Sequence, residues 1–314
     1  MDILSTIVPI FILIGLGWFV RRKGFIPPEF FGPANRLVFY LAIPAMIFRA
    51  ISKSSINLHF QGDVLFITLS AAFFGYMTAW LICRGRRMRP GRAGTFVQSA
   101  GHGNLGYIGL SVSFYLLGDE GLVRAGIIAG FLMILQNFLS VLALSVPALK
   151  DRTLAGNAES RIKGPAAKVL GNPVIISAMA GIVFSFFQIP VPLIFQRSLD
   201  MLGGLAMPTG LLLIGGSLSV RLLQKHYRPV MGAVMIKLIM LPACGLILFH
   251  GFHISPEDYM PGLILLASPT ATVTYVMAKE LNGDPEFAVA AISASTLLSA
   301  GTFGFWLMIG SHMS

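Results

Sequence analysis

The chain has 314 residues, a net charge of +10, 55% apolar residues and only 11% charged ones, with a mean hydropathy of +0.78. A soluble domain carries about 25% charged residues, so this chain lacks the charge to cover a water-facing surface. That excludes a soluble globular protein, and it reassigns the positive balance from nucleic acid, which is not an expected partner, to Lys and Arg retained in the cytoplasmic loops of an integral membrane protein.

Ten apolar segments are predicted as spanning helices, near residues 3–20, 33–51, 63–83, 93–117, 121–146, 172–189, 193–219, 229–250, 259–279 and 286–309. Each is near the roughly 20 residues that a hydrocarbon core demands, and open backbone cannot be satisfied in lipid. The first follows Asp2 with no basic leader, which predicts a span rather than a cleavable signal. Pro44 in the second span and Pro208 in the seventh are predicted kinks. Cys83 and Cys244 lie inside apolar stretches and predict packing residues rather than a disulfide framework. Residues 147–171 hold Lys150, Asp151, Arg152, Asn157, Glu159, Arg161, Lys163 and Lys168 and read as a cytoplasmic linker. They divide the chain into five-helix repeats at 1–146 and 172–310.

The two repeats share their proline spacing. Pro9, Pro28 and Pro44 recur as Pro173, Pro192 and Pro208, each 164 residues on, and Gly17 falls on Gly181. Charge placement gives the repeats opposite orientations. Connections after odd-numbered spans hold about 18 of the 23 Lys and Arg, whereas those after even spans carry Asp119, Glu120, Glu257 and Asp258. Odd connections are therefore expected in the cytoplasm and both termini outside. The ninth connection, with Lys279, Glu280, Asp284 and Glu286, departs from this pattern. The expected fold is an all-α polytopic membrane protein of ten transmembrane helices in a 5+5 inverted repeat, an arrangement found in secondary transporters.

Span 4 is interrupted by Ser99-Ala-Gly-His-Gly-Asn-Leu-Gly-Tyr-Ile-Gly109, with four glycines, each about 1 kcal/mol worse than alanine in a helix. At the 164 offset, span 9 carries Ser268-Pro-Thr-Ala-Thr-Val-Thr-Tyr275, where Pro269 removes a donor. Asn104 maps onto Ser268 and Leu105 onto Pro269. Two broken crossover helices at matched places predict a midplane site, where half-helix N-termini favour an anion such as a carboxylate. Gly103, Asn104, Leu105, Ser268, Pro269, Thr270 and Thr272 are its candidate substrate-binding residues. The alternative is that small and hydroxyl residues let helices pack closely.

His102 suits either a proton carrier, since its reference pKa of about 6.5 lies near neutrality, or a neutral group filling the break. Lys237 is the one Lys or Arg well inside a predicted span. It either snorkels to the cytoplasmic surface or is buried, standing in for a coupling cation or holding a carboxylate. Gln98, Gln136 and Asn137 read as polar glue between spans 4 and 5. No HExxH motif, P-loop or pair of intramembrane carboxylates appears, so neither an enzyme, a metal site nor a cofactor is expected.

Asn35-Arg-Leu-Val-Phe-Tyr-Leu-Ala-Ile-Pro44 with Ala45-Met-Ile-Phe48 resembles the second span of the auxin efflux carrier family of permeases. Val234 to Pro242 with its lysine, Asn104 to Gly109, Ser268 to Ala271 and Ser295 to Ser299 resemble the family's eighth, fourth, ninth and tenth spans. The short linker looks like the bacterial branch. The resemblance implies a scaffold of spans 1, 2, 6 and 7, a transport domain of spans 3–5 and 8–10, and an organic-anion substrate. A bacterial inner-membrane location is expected with it, and a proton and a second copy docked through the scaffold remain open as partners. Asn104 and Pro269 carry over as crossover residues; no acidic residue lies in either break, which puts sodium coupling in doubt. The leading function is a secondary carrier of a small mono- or dicarboxylate by alternating access, and the alternative an anion-binding sensor or scaffold without transport.

Overall fold

The computed structural model describes residues 3–53, 61–150 and 173–312. Among them seven helices are long and apolar enough to cross a membrane: Ile3–Arg22, Pro28–Lys53, Gly62–Gly85, Leu105–Ser145, Leu193–Ser217, Val220–Gly251 and Pro285–His312. We label the helices in chain order. Helix α1 is Ile3–Arg22; α2 joins Phe31–Leu37, a π-helical turn at Val38–Ala42, and Ile43–Lys53. Helices α3 and α4 are Gly62–Gly85 and Pro90–Gly101, and α5 is Leu110–Lys150, led in by a π-helical turn at Leu105–Gly109. Then come α6 (Pro173–Phe186), α7 (Leu193–Gly204), α8 (Ala206–Ser217) and α9 (Val220–Met235). A π-helical turn at Ile236–Met240 leads into α10 (Leu241–Gly251), followed by α11 (Pro256–Ala267), α12 (Val273–Glu280) and α13 (Pro285–His312). The linker expected at 147–171 lies outside the described residues, except that α5 runs on to Lys150.

Helix α5 is a hairpin. Gly118, at φ 72° and ψ −160°, interrupts it in a backbone region that favours glycine. A β-carbon on Gly121 would stand 3.0 Å from the Ser113 carbonyl oxygen, whereas eight residues of straight helix would separate the two by about 12 Å. The chain therefore folds back, and the second arm returns alongside α4: a β-carbon on Gly94 would lie 2.6 Å from the Ala143 carbonyl oxygen.

The helices fall into two sets by their packing. Helix α1 lies along α8, and α2 along α6 and α7; α9 lies along α13, and α4 along both α3 and α5. Lipid supplies no hydrophobic drive between helices, so close approach at small residues holds such bundles together. A β-carbon on Gly17 would meet the Leu212 carbonyl oxygen of α8 at 2.1 Å, and one on Gly181 the Phe48 carbonyl oxygen of α2 at 3.4 Å. These contacts echo each other: Gly17 to Gly181 and Phe48 to Leu212 are both steps of 164 residues.

Proline sets the local irregularities. It frees the carbonyl four residues back and needs room for its ring. The π-helical turns in α2 and before α10 each end two residues before a proline, Pro44 and Pro242. The Leu238 carbonyl, four residues before Pro242, accepts the indole N–H of Trp306 at 2.7 Å. At Pro208 the helix is divided at Leu205, between α7 and α8.

Ion pairs tie the connections into two ends. At one, Arg92 pairs with Asp284 at 3.0 Å and Lys225 with Glu286 at 2.5 Å. At the other, Asp258 accepts from Arg124 at 3.3 Å and from Gln61. The acids of the ninth connection, which broke the charge pattern, thus face basic residues of the third and seventh connections.

Candidate functional site

Helix α4 ends at Gly101 and α11 at Ala267, and the backbone after each is extended before the next helical turn begins. Where the two interruptions cross, the Asn104 amide donates to the Pro269 carbonyl at 2.7 Å and the Ala271 amide to the His102 carbonyl at 2.9 Å. The result is an isolated antiparallel bridge between Gly103 and Thr270. The two bonds exchange roles when Asn104 is stepped to Ala271 and His102 to Pro269, and these steps, like that from Gly103 to Thr270, are of 167 residues, three more than the proline echo. The register that relates Asn104 to Ser268 therefore holds in α1, α2, α6 and α8 and slips by three at the crossing.

A helix that stops inside the bundle leaves carbonyls without partners, and the structure supplies a donor for most of them. The Thr270 hydroxyl donates to the Ser99 carbonyl at 2.8 Å, and Gln136 Nε2 to that of Gly101 at 3.3 Å, closing the end of α4. At the end of α11, the Ser268 hydroxyl donates to the Ile264 carbonyl at 3.0 Å and Lys237 Nζ to that of Leu266 at 2.7 Å. Lys237 is 1% exposed: it is buried and does not snorkel. It makes no salt bridge with any described residue. A β-carbon on Gly103 would stand 3.3 Å from its Nζ, so this cation lies directly behind the break.

A cavity of about 100 Å³ opens on the crossing. His102, Gly103, Asn104, Leu105 and Thr272 line it, together with Tyr107 and Asn137, and Phe39 and Ile43 of α2 form the facing wall. Asn104 is 4% exposed and its Nδ2 has no partner, while its Oδ1 caps the following turn by accepting the Tyr107 amide at 3.4 Å. The amides of Gly106 and Val273, at the starts of the two onward half-helices, have no backbone acceptor beyond their own helices, as first-turn donors do. His102 Nδ1 lies 3.0 Å from the Ser140 hydroxyl, itself 2.9 Å from the Tyr76 hydroxyl.

Of the residues singled out from sequence, then, Asn104, Gly103, Leu105, Thr272 and His102 meet at one cavity. Ser268, Pro269 and Thr270 are buried at the crossing with their polar groups spent on backbone, and Lys237 stands behind it. Gln136 and Asn137, read as glue, sit respectively on the end of α4 and on the cavity. Tyr76 and Ser140 gave no sequence signal, because their relation to the break depends on the α5 hairpin, and the reach of Tyr107 to Asn35 is a long-range contact that its own stretch does not report.

A multi-pass helical bundle with a cavity where two interrupted helices cross, largely apolar but holding a few polar side chains, is the build of a membrane transporter. The family described as membrane transport protein matches residues 2–150 and 165–307, and the chain belongs to it, the auxin efflux carrier family. It is 27% identical to a "Putative malonate transporter" of Rhizobium meliloti (strain 1021) over 96% of this chain and 93% of the relative. It is 25% identical to an "Uncharacterized transporter" of Methanothermobacter thermautotrophicus over 97% of each. A third relative, "Uncharacterized transporter YfdV" of Escherichia coli (strain K12), is 18% identical over 99% of this chain and 98% of its own length.

Proposed function

We propose that the protein is a secondary carrier of a small organic anion, a mono- or dicarboxylate, that works by alternating access with substrate bound where the two broken helices cross. One observation carries this: Lys237 is fully buried, has no anionic partner among the described residues, and stands behind a cavity lined by Asn104, whose side-chain amide nitrogen is buried without a partner. A buried charge without a partner is costly, and a carboxylate in the cavity supplies the missing counter-charge. The half-helix N-termini at Leu105 and Val273 add positive dipole ends. The volume matches about three waters at ~30 Å³ each, room for a few heavy atoms. The malonate named for one relative is of this kind.

The architecture we propose is ten spans in an inverted repeat. Division of α5 at Gly118, with α4 continuing through the break into residues 105–117 and α11 into α12, turns the seven long helices into ten when α6 is included. The reciprocal Gly17 and Gly181 contacts support the repeat. Grouping of Arg92, Lys225, Asp284 and Glu286 at one end supports a cytoplasmic face there and extracytoplasmic termini. Helices α1, α2 and α6–α8 would be the scaffold, and the rest the moving body. His102, with its chain to Ser140 and Tyr76, is our candidate for a coupled proton.

The test is uptake of radiolabelled malonate and related acids into proteoliposomes. Asn104→Ala removes a hydrogen bond to a charged group and is expected to reduce uptake roughly tenfold or more, and Pro269→Ala to reduce it sharply, with the purified proteins still monodisperse. Unchanged uptake in both variants sinks the site. Stabilisation by the anion without flux marks a sensor rather than a carrier.

A further inference from the structure

The two helix sets are not equally close along their length. Between α2, α7 and α8 on one side and the tip of the α5 hairpin on the other lies a vestibule of about 560 Å³. Met46, Arg49 and Lys53 of α2 face it, and Asp119, Glu120 and Val123 of the hairpin stand across from them. Arg49 is held within its own set by Asp200 at 3.0 Å and Gln196 at 3.1 Å, so this pair does not cross the gap.

Farther down, the same two sets are joined. The Tyr107 hydroxyl, from the turn after the break, donates to Asn35 Oδ1 in the first turn of α2 at 2.8 Å. The Tyr107 ring is seated on α8 at Gly210, where a β-carbon would come within 2.3 Å of ring Cδ1. Only a glycine leaves that seat open. Asn35 precedes Ile43, which faces the cavity, and Met46 and Arg49 continue along α2 into the vestibule, so the cavity lies between the vestibule and the Tyr107–Asn35 bond.

We propose that Tyr107 is the positioning residue that links occupation of the cavity to the opening between the two helix sets. Its hydroxyl and ring hold the sets together on the side remote from the vestibule. Its amide is capped by the side chain of Asn104, a residue that lines the cavity and whose Nδ2 is buried without a partner. An anion that draws the Asn104 carboxamide toward itself pulls on that cap and turns the Tyr107 ring off its glycine. The remote side then parts and the vestibule narrows. This inference rests on the carrier reading given above.

The test measures vestibule width without relying on transport. Spin labels are placed at Lys53→Cys and Glu120→Cys, both exposed on opposite walls, in a chain with Cys83→Ala and Cys244→Ala, and distances are read by double electron–electron resonance. In the otherwise native chain one wide population is expected. Tyr107→Phe keeps the ring and loses one hydrogen bond, and should raise a narrow population about three- to tenfold. Asn35→Ala should do the same from the other partner, and Gly210→Ala by unseating the ring. Malonate added to the native chain should shift the population in the same direction. A distribution unchanged by both Tyr107→Phe and Asn35→Ala overturns the proposal. If malonate still narrows the vestibule in that case, the carrier reading stands and Tyr107 alone is misassigned; if malonate also does nothing, the carrier reading fails separately.

Discussion

Lys237 carries its amine into the core of an apolar bundle, and the Leu266 carbonyl is the one described group that accepts from it. A carbonyl dipole offsets only part of the cost of burying a full charge. A charged Lys237 without an anion is therefore less favourable than a packed apolar core, a deficit that the proposed substrate would repair. Lys237→Met keeps the volume and drops the charge. We expect its melting temperature without ligand to be unchanged or higher. Native protein at about 100 times the dissociation constant of its ligand gains about 2.7 kcal/mol; the variant should lose that gain. A thermal-shift titration with malonate reads both. That Lys237 stands well inside an apolar run was legible in the sequence, but its orientation was not. Whether a long side chain turns to the surface or inward depends on what waits at each end of its reach, here the carbonyl end of α11.

At the scale of elements, proline and its compensating donor act as a pair. Pro242 frees the Leu238 carbonyl and Trp306 of α13 covers it. Trp306→Phe leaves that buried acceptor bare, at an expected cost of about 1–3 kcal/mol. Pro242→Ala restores a backbone donor and should recover much of the loss in the double variant, a coupling of about 1 kcal/mol in a double-mutant cycle read by thermal unfolding. The interruptions themselves were legible, because four glycines in one segment and Ser268-Pro269 in the other are poor helix interiors at any depth. The three-residue slip between the 164 and 167 registers was not legible. It follows from the pairing of two extended strands, and neither strand contains information about its partner. For the same reason Tyr76 and Ser140 were passed over: they meet the break only across the fold-back at Gly118, a distance in sequence that no local pattern reports.

For the whole molecule, the echoed glycines say where rigidity resides. Gly17 meets α8 backbone, which cannot step aside, whereas a β-carbon on Gly15 of the same helix has nothing within 4 Å. Gly17→Ala is expected to destabilise by about 1–3 kcal/mol or more through overpacking, while Gly15→Ala should be neutral or slightly stabilising through helix propensity. Thermal unfolding of the two purified variants in detergent compares them directly. The charge anomaly at the ninth connection also resolves only at this scale. Asp284 and Glu286 look misplaced when loops are counted one by one, and become ordinary once Arg92 and Lys225 are seen opposite them.

The Gly103–Thr270 bridge also bears on how the protein is made. The Asn104 amide finds its acceptor on Pro269, and the His102 carbonyl its donor on Ala271, 165 and 169 residues farther along the chain. At about 5–20 residues per second of synthesis, the first interrupted helix has roughly 8–35 seconds in which these backbone groups lack their final partners. In the ten-span architecture proposed above, a nascent chain in that interval holds unpaired polar backbone at the depth of lipid tails, where each such group costs several kcal/mol. The first half must then wait at the insertion machinery, against water, or against another protein until the second half arrives. The crossing that builds the site thereby makes the amino-terminal half a dependent of residues not yet translated.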